Sequence, residues 1–476
     1  MHQARTVSRN ATQWRLPQFA ASSAVLVWTF LTIVILVGPT AAKAQSVTAQ
    51  HIRSAEHADV IAGATPAATA HFGCELRPFN LSKGLFCYGP AAIRHAYGVD
   101  QLIAAGLDGT GQTIVIIDAY GSPTMEADLA AFDTIFGLPA PPSIQQIHMP
   151  GSTPFNNHDP NQLGWAEETS LDVQWSHAIA PGAKIILVAA ATNNDPDILA
   201  AQNYAIKNHL GNVISESFGE SELALLQTAS GVKSIDDNEE SLQGARDANI
   251  SVLVSSGDSG PAETDSNNVL QTFPVASYPA SSPIVTAVGG TNLFFGSATN
   301  ADPNGTYQGE VVWNDGFGAG GGGVSMAFGT PNYQRNHLPL TTLTSLNGHR
   351  GYPDVAYNAG VVGGVIAHLG FFPPNGPANA FYIFGGTSAG APQWSAITSI
   401  ANQSADEPLG FLNNRLYKLG ERGVLNTVMH DITVGNNSFE GVTGFSATPG
   451  WDLATGWGTP NTGFVAKLTP GNGGND

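Results

Sequence analysis

The chain of 476 residues is long enough for one large or two ordinary domains with a substantial core. Its 18 lysines and arginines face 37 aspartates and glutamates, which gives a formal net charge of −19. This deficit of cations argues against nucleic acid as a partner, because phosphate binding requires clustered positive charge. So few cations form few ion pairs for acid to break, and this favours a protein that works at low pH.

The first 44 residues have the features of an export signal. A mostly apolar run over residues 19–37 follows three arginines, and Ala42-Lys43-Ala44 then offers a small-x-small cleavage site. The run is nearly long enough to span a bilayer, so a retained anchor is the alternative. We predict a signal peptide over residues 1–44 and a secreted, extracellular protein that has no membrane contact after cleavage.

The next segment is Ala-rich and weakly patterned over residues 45–70. We predict that residues 45–86 form a short prosegment or N-terminal extension. Cys74 and Cys87 are the two cysteines of the chain, and 12 residues separate them. In an exported protein we expect them to form a disulfide, which would contribute about 3 kcal/mol, rather than to remain as two thiols.

From Cys87 onward the chain has the pattern of a globular α/β protein. Apolar, β-branched runs at 113–119, 184–190, 212–219 and 250–258 alternate with helical stretches such as 124–136 and 241–249. This alternation predicts a mainly parallel sheet flanked by helices, with functional loops at the strand ends. Gly-rich turns and short strands follow residue 285, and we assign residues 87–476 to one domain.

The stretch FGGTSAGAP, residues 384–392, contains a serine in two overlapping patterns. Around Ser388 it fits both the G-x-S-x-G elbow of α/β-hydrolases and the Gly-Thr-Ser-x-x-x-Pro signature of subtilisin-like peptidases. An α/β-hydrolase needs an acid and then a histidine after the serine in the chain. His430 is the only histidine that follows Ser388. Pro392 also lies where the helix of the elbow should continue, which argues against this alternative.

A subtilisin-type serine requires a histidine in a His-Gly-Thr setting, and no histidine here precedes Gly-Thr. We expect His177 merely to cap or pack the end of a helix. The serine therefore needs another base.

The segment GWAEETSLDVQWSHAIAPGAKI, residues 164–185, supplies a candidate. Its helical pattern runs to about Ile179 and is stopped by Pro181-Gly182. Glu168 and Asp172 are four residues apart and share a face with an apolar stripe, whereas Glu167 points about 100° away and is expected to be solvated.

Carboxylates that face inward are costly unless they are hydrogen-bonded or protonated, so the pKa of at least one member of the pair should rise. Such a pair can share a proton, with one member acting as base while the other orients it. A solvated pair of acids on a helix surface is the alternative interpretation.

Five motifs together resemble one family. EETSLDVQWSHAIAPGAKI, VLVSSGDSG, YPASSPIVTAVGGT, RGYPDVAYNA and FGGTSAGAP, in this order, resemble the sedolisins, which are acid-active serine-carboxyl peptidases with a subtilisin-like fold. The resemblance covers roughly residues 87–465. It implies polypeptide substrates, with Ser388 as nucleophile, Glu168 as general base and Asp172 as the carboxylate that orients Glu168. We expect a monomer.

Attack by Ser388 places negative charge on the substrate carbonyl oxygen, which requires preorganised donors. The Ser388 N–H is one, and Asp258 matches the aspartate that is the second donor in sedolisins. That carboxyl must be protonated to donate, which gives a physical reason for activity in acid; a turn-forming aspartate is the alternative. Asp118 resembles a supporting acid of some relatives, and Phe218 stands where several relatives have Trp.

Near the C-terminus, HDITVGNNSF and ATPGWDLATGWG resemble the sedolisin calcium loop. The resemblance implies one structural Ca²⁺, a cation that prefers oxygen ligands. The matching ligands are the carboxylates and carbonyls of Asp431, Ile432, Thr448, Gly450 and Asp452. Relatives usually have glycine at the position of Thr448. Without the resemblance, both aspartates would be interpreted as turn residues.

Two other functions remain as alternatives. A conventional serine hydrolase would depend on a histidine, and a secreted binding protein on an inactive peptidase scaffold would have a broken site. All four catalytic positions are intact. Sedolisins commonly carry a long folded prodomain, and only about 42 residues separate Gln45 from Tyr88. The resemblance by itself therefore implies neither the family's autoinhibition nor its acid-triggered self-cleavage.

Overall fold

The computed structural model describes residues 47–49, 52–62, 64–68, 70–76, 85–265, 267, 269–296, 305–371 and 376–469. The predicted signal peptide lies outside the described residues. No helix in these ranges is long and apolar enough to cross a lipid bilayer.

The strands in the described part of the chain are β1 (Thr48–Ala49), β2 (Ile52–Ala58), β3 (Cys87–Tyr88), β4 (Thr113–Ala119), β5 (Ile144–His148), β6 (Lys184–Ala190), β7 (Val213–Glu216), β8 (Phe218–Ser221), β9 (Ser251–Ser255), β10 (Ser277–Tyr278), β11 (Thr286–Gly296), β12 (Thr306–Val312), β13 (Gly323–Gly329), β14 (His349–Tyr352), β15 (Val355–Asn358), β16 (Gly364–Leu369), β17 (Ala380–Gly385), β18 (Met429–His430) and β19 (Thr459–Pro460).

The helices are α1 (Pro90–Ala96), α2 (Val99–Ala104), α3 (Met125–Phe136), α4 (Pro160–Ile179), α5 (Asp195–Lys207), α6 (Glu222–Leu226), α7 (Ala229–Asp247), α8 (Asn332–His337), α9 (Leu340–Ser345), α10 (Gly390–Ala405), α11 (Asn413–Glu421) and α12 (Phe464–Leu468).

The central sheet has the strand order β12-β11-β9-β7-β4-β6-β5, with β15 also paired to β11. Every pairing in it is parallel except that of the edge strand β12. Strand β4 is buried along nearly its whole length, as expected for a parallel strand covered on both faces. The predicted mainly parallel sheet flanked by helices is confirmed.

Two hydrophobic cores lie on opposite faces of this sheet. Ile114 and Ile116 of β4 pack in one core with residues of α4 and α10, whereas Val115 and Ile117 pack in the other with residues of α5 and α7. Side chains alternate along a strand, so one continuous apolar sequence supplies both cores. Helices α4 and α10 are thereby held together on one face, and both contribute to the candidate site.

Two element boundaries differ from the sequence prediction. The apolar run at 212–219 is two strands, because β7 stays in the central sheet while β8 leaves it to pair with β10. Helix α7 begins well before the predicted stretch at 241–249. Its first half is mostly polar and exposed, and the apolar period that marks a helix is weak there.

The segment upstream of Cys87 contains strands that its Ala-rich sequence did not predict. Strand β1 pairs antiparallel with β8, Thr48 opposite Gly219, and β2 pairs antiparallel with β17, Ile52 opposite Gly385. The sulfurs of Cys74 and Cys87 are bonded, with the Cα atoms 5.2 Å apart.

Candidate active site

Helix α4 carries the predicted acid pair. Asp159 caps the helix by accepting a hydrogen bond from the Asn161 N–H at 2.9 Å, and Pro160 occupies the first turn, where no N–H is required. The helix ends at Ile179, as the sequence predicted. All residues from Trp165 to Ile179 are buried, so the helix is enclosed on every side.

The enclosure corrects one expectation. Glu167 is only 5% exposed, so the prediction that it is solvated is wrong. The sequence pattern suggested an amphipathic helix with one solvent-exposed face. The physical reason for the difference is that other parts of the chain cover α4 all round, among them α3, α10 and strand β16.

Glu168 and Asp172 are both fully buried, as is Asp118 at the end of β4. Asp118 accepts a hydrogen bond from the Thr169 hydroxyl at 3.0 Å, which ties β4 to α4. Burial raises the pKa of Asp172 well above its usual range, the charges of Asp118 and Glu168 raise it further, and the neighbouring Ser217 hydroxyl opposes the rise. The carboxyl groups of Asp118, Glu168 and Asp172 therefore lie in one site that is buried from solvent.

Ser388 lies in a short 3₁₀ turn, Thr387–Ala389, that leads directly into α10 and packs against α4. Gly386 before the turn has φ 101°, a conformation that other residues rarely adopt. The Ser388 hydroxyl is buried and donates to the Ser217 carbonyl at 3.5 Å. Ser217 thus lies between Ser388, whose hydroxyl contacts its carbonyl, and Asp172, which lies beside its hydroxyl.

Asp258 follows β9 and is brought to the same turn. Its Oδ1 accepts a hydrogen bond from the Thr387 N–H at 2.8 Å and from the Thr387 hydroxyl at 2.9 Å. The carboxyl is therefore hydrogen-bonded to the residue immediately before Ser388.

The two histidines considered from the sequence make contacts elsewhere. The Nε2 of His177 lies 2.7 Å from the Pro139 carbonyl and 3.3 Å from an Asp133 carboxylate oxygen, and His430 stacks on the Tyr307 ring at 4.0 Å. Neither set of contacts includes Ser388 or its turn. His177 packs at the end of α4, as the sequence analysis expected.

The predicted calcium ligands lie in two segments held together by hydrogen bonds. The carboxylate of Asp431 accepts from the Gly450 N–H at 2.9 Å, and that of Asp452 accepts from the Thr448 N–H at 2.8 Å and the Thr455 N–H at 2.9 Å. Burial raises the pKa of Asp452 to about 6, against the opposing effect of these backbone donors. Gly450 has φ 79°, whereas Thr448 avoids positive φ, so a side chain is tolerated there.

Sequence reasoning did not single out two residues of this site. Thr387 stands in the FGGTSAGAP motif and Ser217 in the apolar run at 212–219, but neither received a role. Ser217 follows directly after a buried strand, and Thr387 precedes the nucleophile. These two positions could have marked both residues as members of the site, because loops at strand ends often carry functional groups.

The parallel sheet, the serine at the start of a buried helix and the carboxyl held beside it define a subtilisin-like serine peptidase. A family model described as the Subtilase family matches residues 152–458. Kumamolisin from Bacillus sp. strain MN-32 is 33% identical over 425 residues, which cover 84% of this chain and 70% of kumamolisin.

Two further relatives are similar over shorter parts of their length. Sedolisin from Pseudomonas sp. strain 101 is 30% identical, over 75% of this chain and 57% of sedolisin. Human tripeptidyl-peptidase 1 is 30% identical, over 63% of this chain and 51% of that protein. The chain thus spans about half the length of these two relatives.

Among solved structures, Pseudomonas sedolisin, a serine-carboxyl proteinase complexed with two molecules of pseudo-iodotyrostatin, matches with a TM-score of 0.66 at 25% identity. The match covers 81% of this chain and 98% of that one. The chain therefore belongs to the sedolisin family of serine-type peptidases. The resemblance inferred from the five motifs and the predicted subtilisin-like fold are both confirmed.

Proposed function

We propose that this protein is a secreted, acid-active serine-carboxyl peptidase that hydrolyses polypeptides through an acyl-enzyme on Ser388. The observation that carries the proposal is the position of Ser217, whose carbonyl accepts from the Ser388 hydroxyl and whose hydroxyl lies beside the buried Asp172 of α4. Both histidines that could serve a conventional mechanism pack elsewhere. The protein acts as a monomer.

In this mechanism Glu168 accepts the Ser388 hydroxyl proton as the oxygen attacks the substrate carbonyl carbon. Asp172 orients Glu168, and burial, together with the charges of Asp118 and Glu168, raises the pKa of the Asp172 carboxyl. Glu168 then delivers the transferred proton to the leaving amine as the C–N bond breaks. Water, deprotonated by the same glutamate, attacks the ester, and its proton returns to the Ser388 oxygen.

The oxyanion of each tetrahedral intermediate is stabilised by the Ser388 N–H and by Asp258. Because a carboxylate has no proton to donate, Asp258 must be in its acid form. This requirement limits activity at higher pH, whereas the need for a proton-accepting Glu168–Asp172 pair limits it at very low pH. The pKa values that describe these two pH limits belong to coupled groups, so they are apparent pKa values.

A pH–activity profile on a denatured protein substrate tests the proposal, with Ser388→Ala as the inactive control. We expect a maximum in acid. Asp258→Asn provides a donor whose proton does not titrate, so that variant should retain some activity and extend it towards neutral pH. Wild-type activity that is highest above pH 7 would contradict the serine-carboxyl mechanism, and an unmoved alkaline limit in an active Asp258→Asn enzyme would assign that limit to another group.

Residues 45–86 act as a short prosegment in this proposal. Strand β1 lies antiparallel on Phe218–Gly219, directly after Ser217, and β2 lies along the strand that ends at Gly385, before the nucleophile turn. An extended peptide that adds to such edges uses the backbone pairing by which substrates are recognised. Its removal would therefore open the cleft.

The prosegment is tested by intact-mass analysis after incubation in acid. After reduction of the Cys74–Cys87 disulfide, which would otherwise keep a cleaved segment attached, we expect the wild type to lose residues upstream of Cys87 while Ser388→Ala retains them. Full activity in a protein that still carries this segment would contradict the assignment.

One structural Ca²⁺ and a secreted location complete the proposal. The donor set of two carboxylates and three carbonyls, from the residues Asp431, Ile432, Thr448, Gly450 and Asp452, is all oxygen, which suits a hard cation. A bound cation would offset the cost of burying Asp452. Export after cleavage of residues 1–44 would place the Cys74–Cys87 disulfide in an oxidising compartment.

A further inference from the structure

Thr387, the residue before the nucleophile, forms several hydrogen bonds with the loop that carries Asp258. Its backbone N–H and its hydroxyl both reach the same carboxyl oxygen, Oδ1, at 2.8 and 2.9 Å. The hydroxyl oxygen in turn accepts from the Gly257 N–H at 3.0 Å. Thr387 is fully buried, so water does not compete for these groups.

The direction of the hydroxyl proton follows from these distances. The Gly257 N–H donates to the hydroxyl oxygen, so the single hydroxyl proton must point to an acceptor. The Asp258 Oδ1 at 2.9 Å is nearer than the Gly257 carbonyl at 3.2 Å. Oδ1 therefore receives two donors from one residue.

An oxygen that already accepts two hydrogen bonds is a poor place for a carboxyl proton, because that proton would have to point at other donors. The acid proton of Asp258 is thereby directed to Oδ2. We propose that Thr387 is a positioning residue for the oxyanion hole: it fixes the Asp258 carboxyl so that the acid proton stands on Oδ2, from which it is donated to the oxyanion. The inference rests on the proposed function of Asp258.

The competing interpretation is that Thr387 only ties the loop after β9 to the nucleophile turn. Thr387→Val and Thr387→Ala separate the two, because both keep the backbone N–H and remove only the hydroxyl. Thr387→Ser restores the hydroxyl. Thr398→Val is the matched control, since Thr398 is a buried threonine of α10 whose hydroxyl donates to the Trp394 carbonyl at 2.8 Å.

The experiment measures kcat, KM and the melting temperature of each variant with a peptide substrate at the acid optimum. We expect Thr387→Val to lower kcat roughly 10- to 100-fold with KM within about twofold, as for the loss of one hydrogen bond that matters in the transition state. Thr387→Ser should return to within about threefold of wild type, and Thr398→Val should change kcat little. If Thr387→Val does not fold, Thr387→Ala carries the test.

A double-mutant cycle shows whether the residue acts through Asp258. In an Asp258→Asn background, adding Thr387→Val should have an effect several-fold smaller than in the wild type. Equal effects in both backgrounds, or a kcat of Thr387→Val close to that of the wild type, would overturn the positioning role. Failure of the proposed function gives a different result, namely an Asp258→Ala enzyme that keeps full activity.

Discussion

At Ser388 the environment of the nucleophile decides which chemistry is available. Its buried hydroxyl contacts the Ser217 carbonyl, and the acids Glu168 and Asp172 lie on the helix packed against its turn. A neutral imidazole loses its capacity to accept a proton in acid, because its usual pKa is near 6.5. A carboxylate keeps that capacity to lower pH, so a glutamate base suits an enzyme that works in acid.

This assignment predicts the effects of single substitutions. Glu168→Ala and Ser388→Ala should each reduce kcat by roughly 10³-fold or more, because each removes a group that moves in every turnover. His177→Ala and His430→Ala should retain most activity, since their contacts lie with Pro139, Asp133 and Tyr307. Activity at the acid optimum and a melting curve should be recorded for all four. A folded histidine variant without activity would show that the base has been assigned wrongly.

The loop proposed to bind calcium connects the segment after β18 to the segment before β19. Asp431 and Asp452 are 21 residues apart, and each accepts a hydrogen bond from a backbone N–H of residues 448–450. An ion bound to both would hold the two segments of this long loop together. Ligands that bind only the folded state stabilise it by mass action.

Removal of calcium should therefore lower the melting temperature. At a free ion concentration 100-fold above the dissociation constant, the contribution is about 2.7 kcal/mol. We expect excess chelator to lower the melting temperature by several degrees, and Asp452→Ala to reproduce this loss without responding to added calcium. Glu407→Ala, a change at an exposed acid of another loop, is the control. Identical melting of the wild type with chelator and with calcium would exclude the site.

A second group of acids comprises the buried Glu216 and the half-buried Glu220, Glu239 and Glu263. The charges of Glu216, Glu220 and Glu239 all act on Tyr278, and that of Glu263 acts on Glu220. Burial raises the pKa of Glu216 to about 8 and those of Glu239 and Glu263 to about 7. Glu216 is fully buried, and within the described ranges neither carboxyl oxygen has a hydrogen-bond partner.

These raised values make the stability of the fold depend on protons. The folded protein binds more protons than the unfolded chain between the ordinary glutamate pKa of 4.5 and the raised value of about 8. The contribution is therefore complete below about pH 4.5 and is lost as pH rises through 7 to 8. This dependence concerns the free energy of unfolding, so an inactive variant reports it as well as the active enzyme does.

We expect the melting temperature of the Ser388→Ala protein, which cannot digest itself, to fall between pH 4 and pH 8. Glu216→Gln in that background should weaken the fall and raise the melting temperature at pH 8 by about 3 °C, since an amide has no proton to lose. Glu126→Gln, at an exposed position of α3, is the matched control. A melting temperature that rises steadily to pH 8, or a Glu216→Gln protein with the wild-type pH dependence, would contradict this account.

Local patterns in the sequence were enough to predict the family, the parallel sheet and the C-terminal end of α4 at Ile179, and they supplied the four residues proposed for the catalytic site. These features depend on local order, such as apolar runs, a proline and glycine after Ile179, and motifs of fixed spacing. The i,i+4 spacing of Glu168 and Asp172 placed both on one face of a helix before any contact was known.

Only the tertiary structure decided the surroundings of those residues. Thr387 and Asp258 are 129 residues apart in the chain, and Ser388 and Ser217 are 171 apart. The burial of Glu167, the division of β7 from β8 and the pairing of β1 with β8 likewise depend on distant segments. A single sequence records the spacing of neighbours along the chain. Contacts between distant segments arise only when the sheet and its helices pack together, so these features could not be predicted from local pattern.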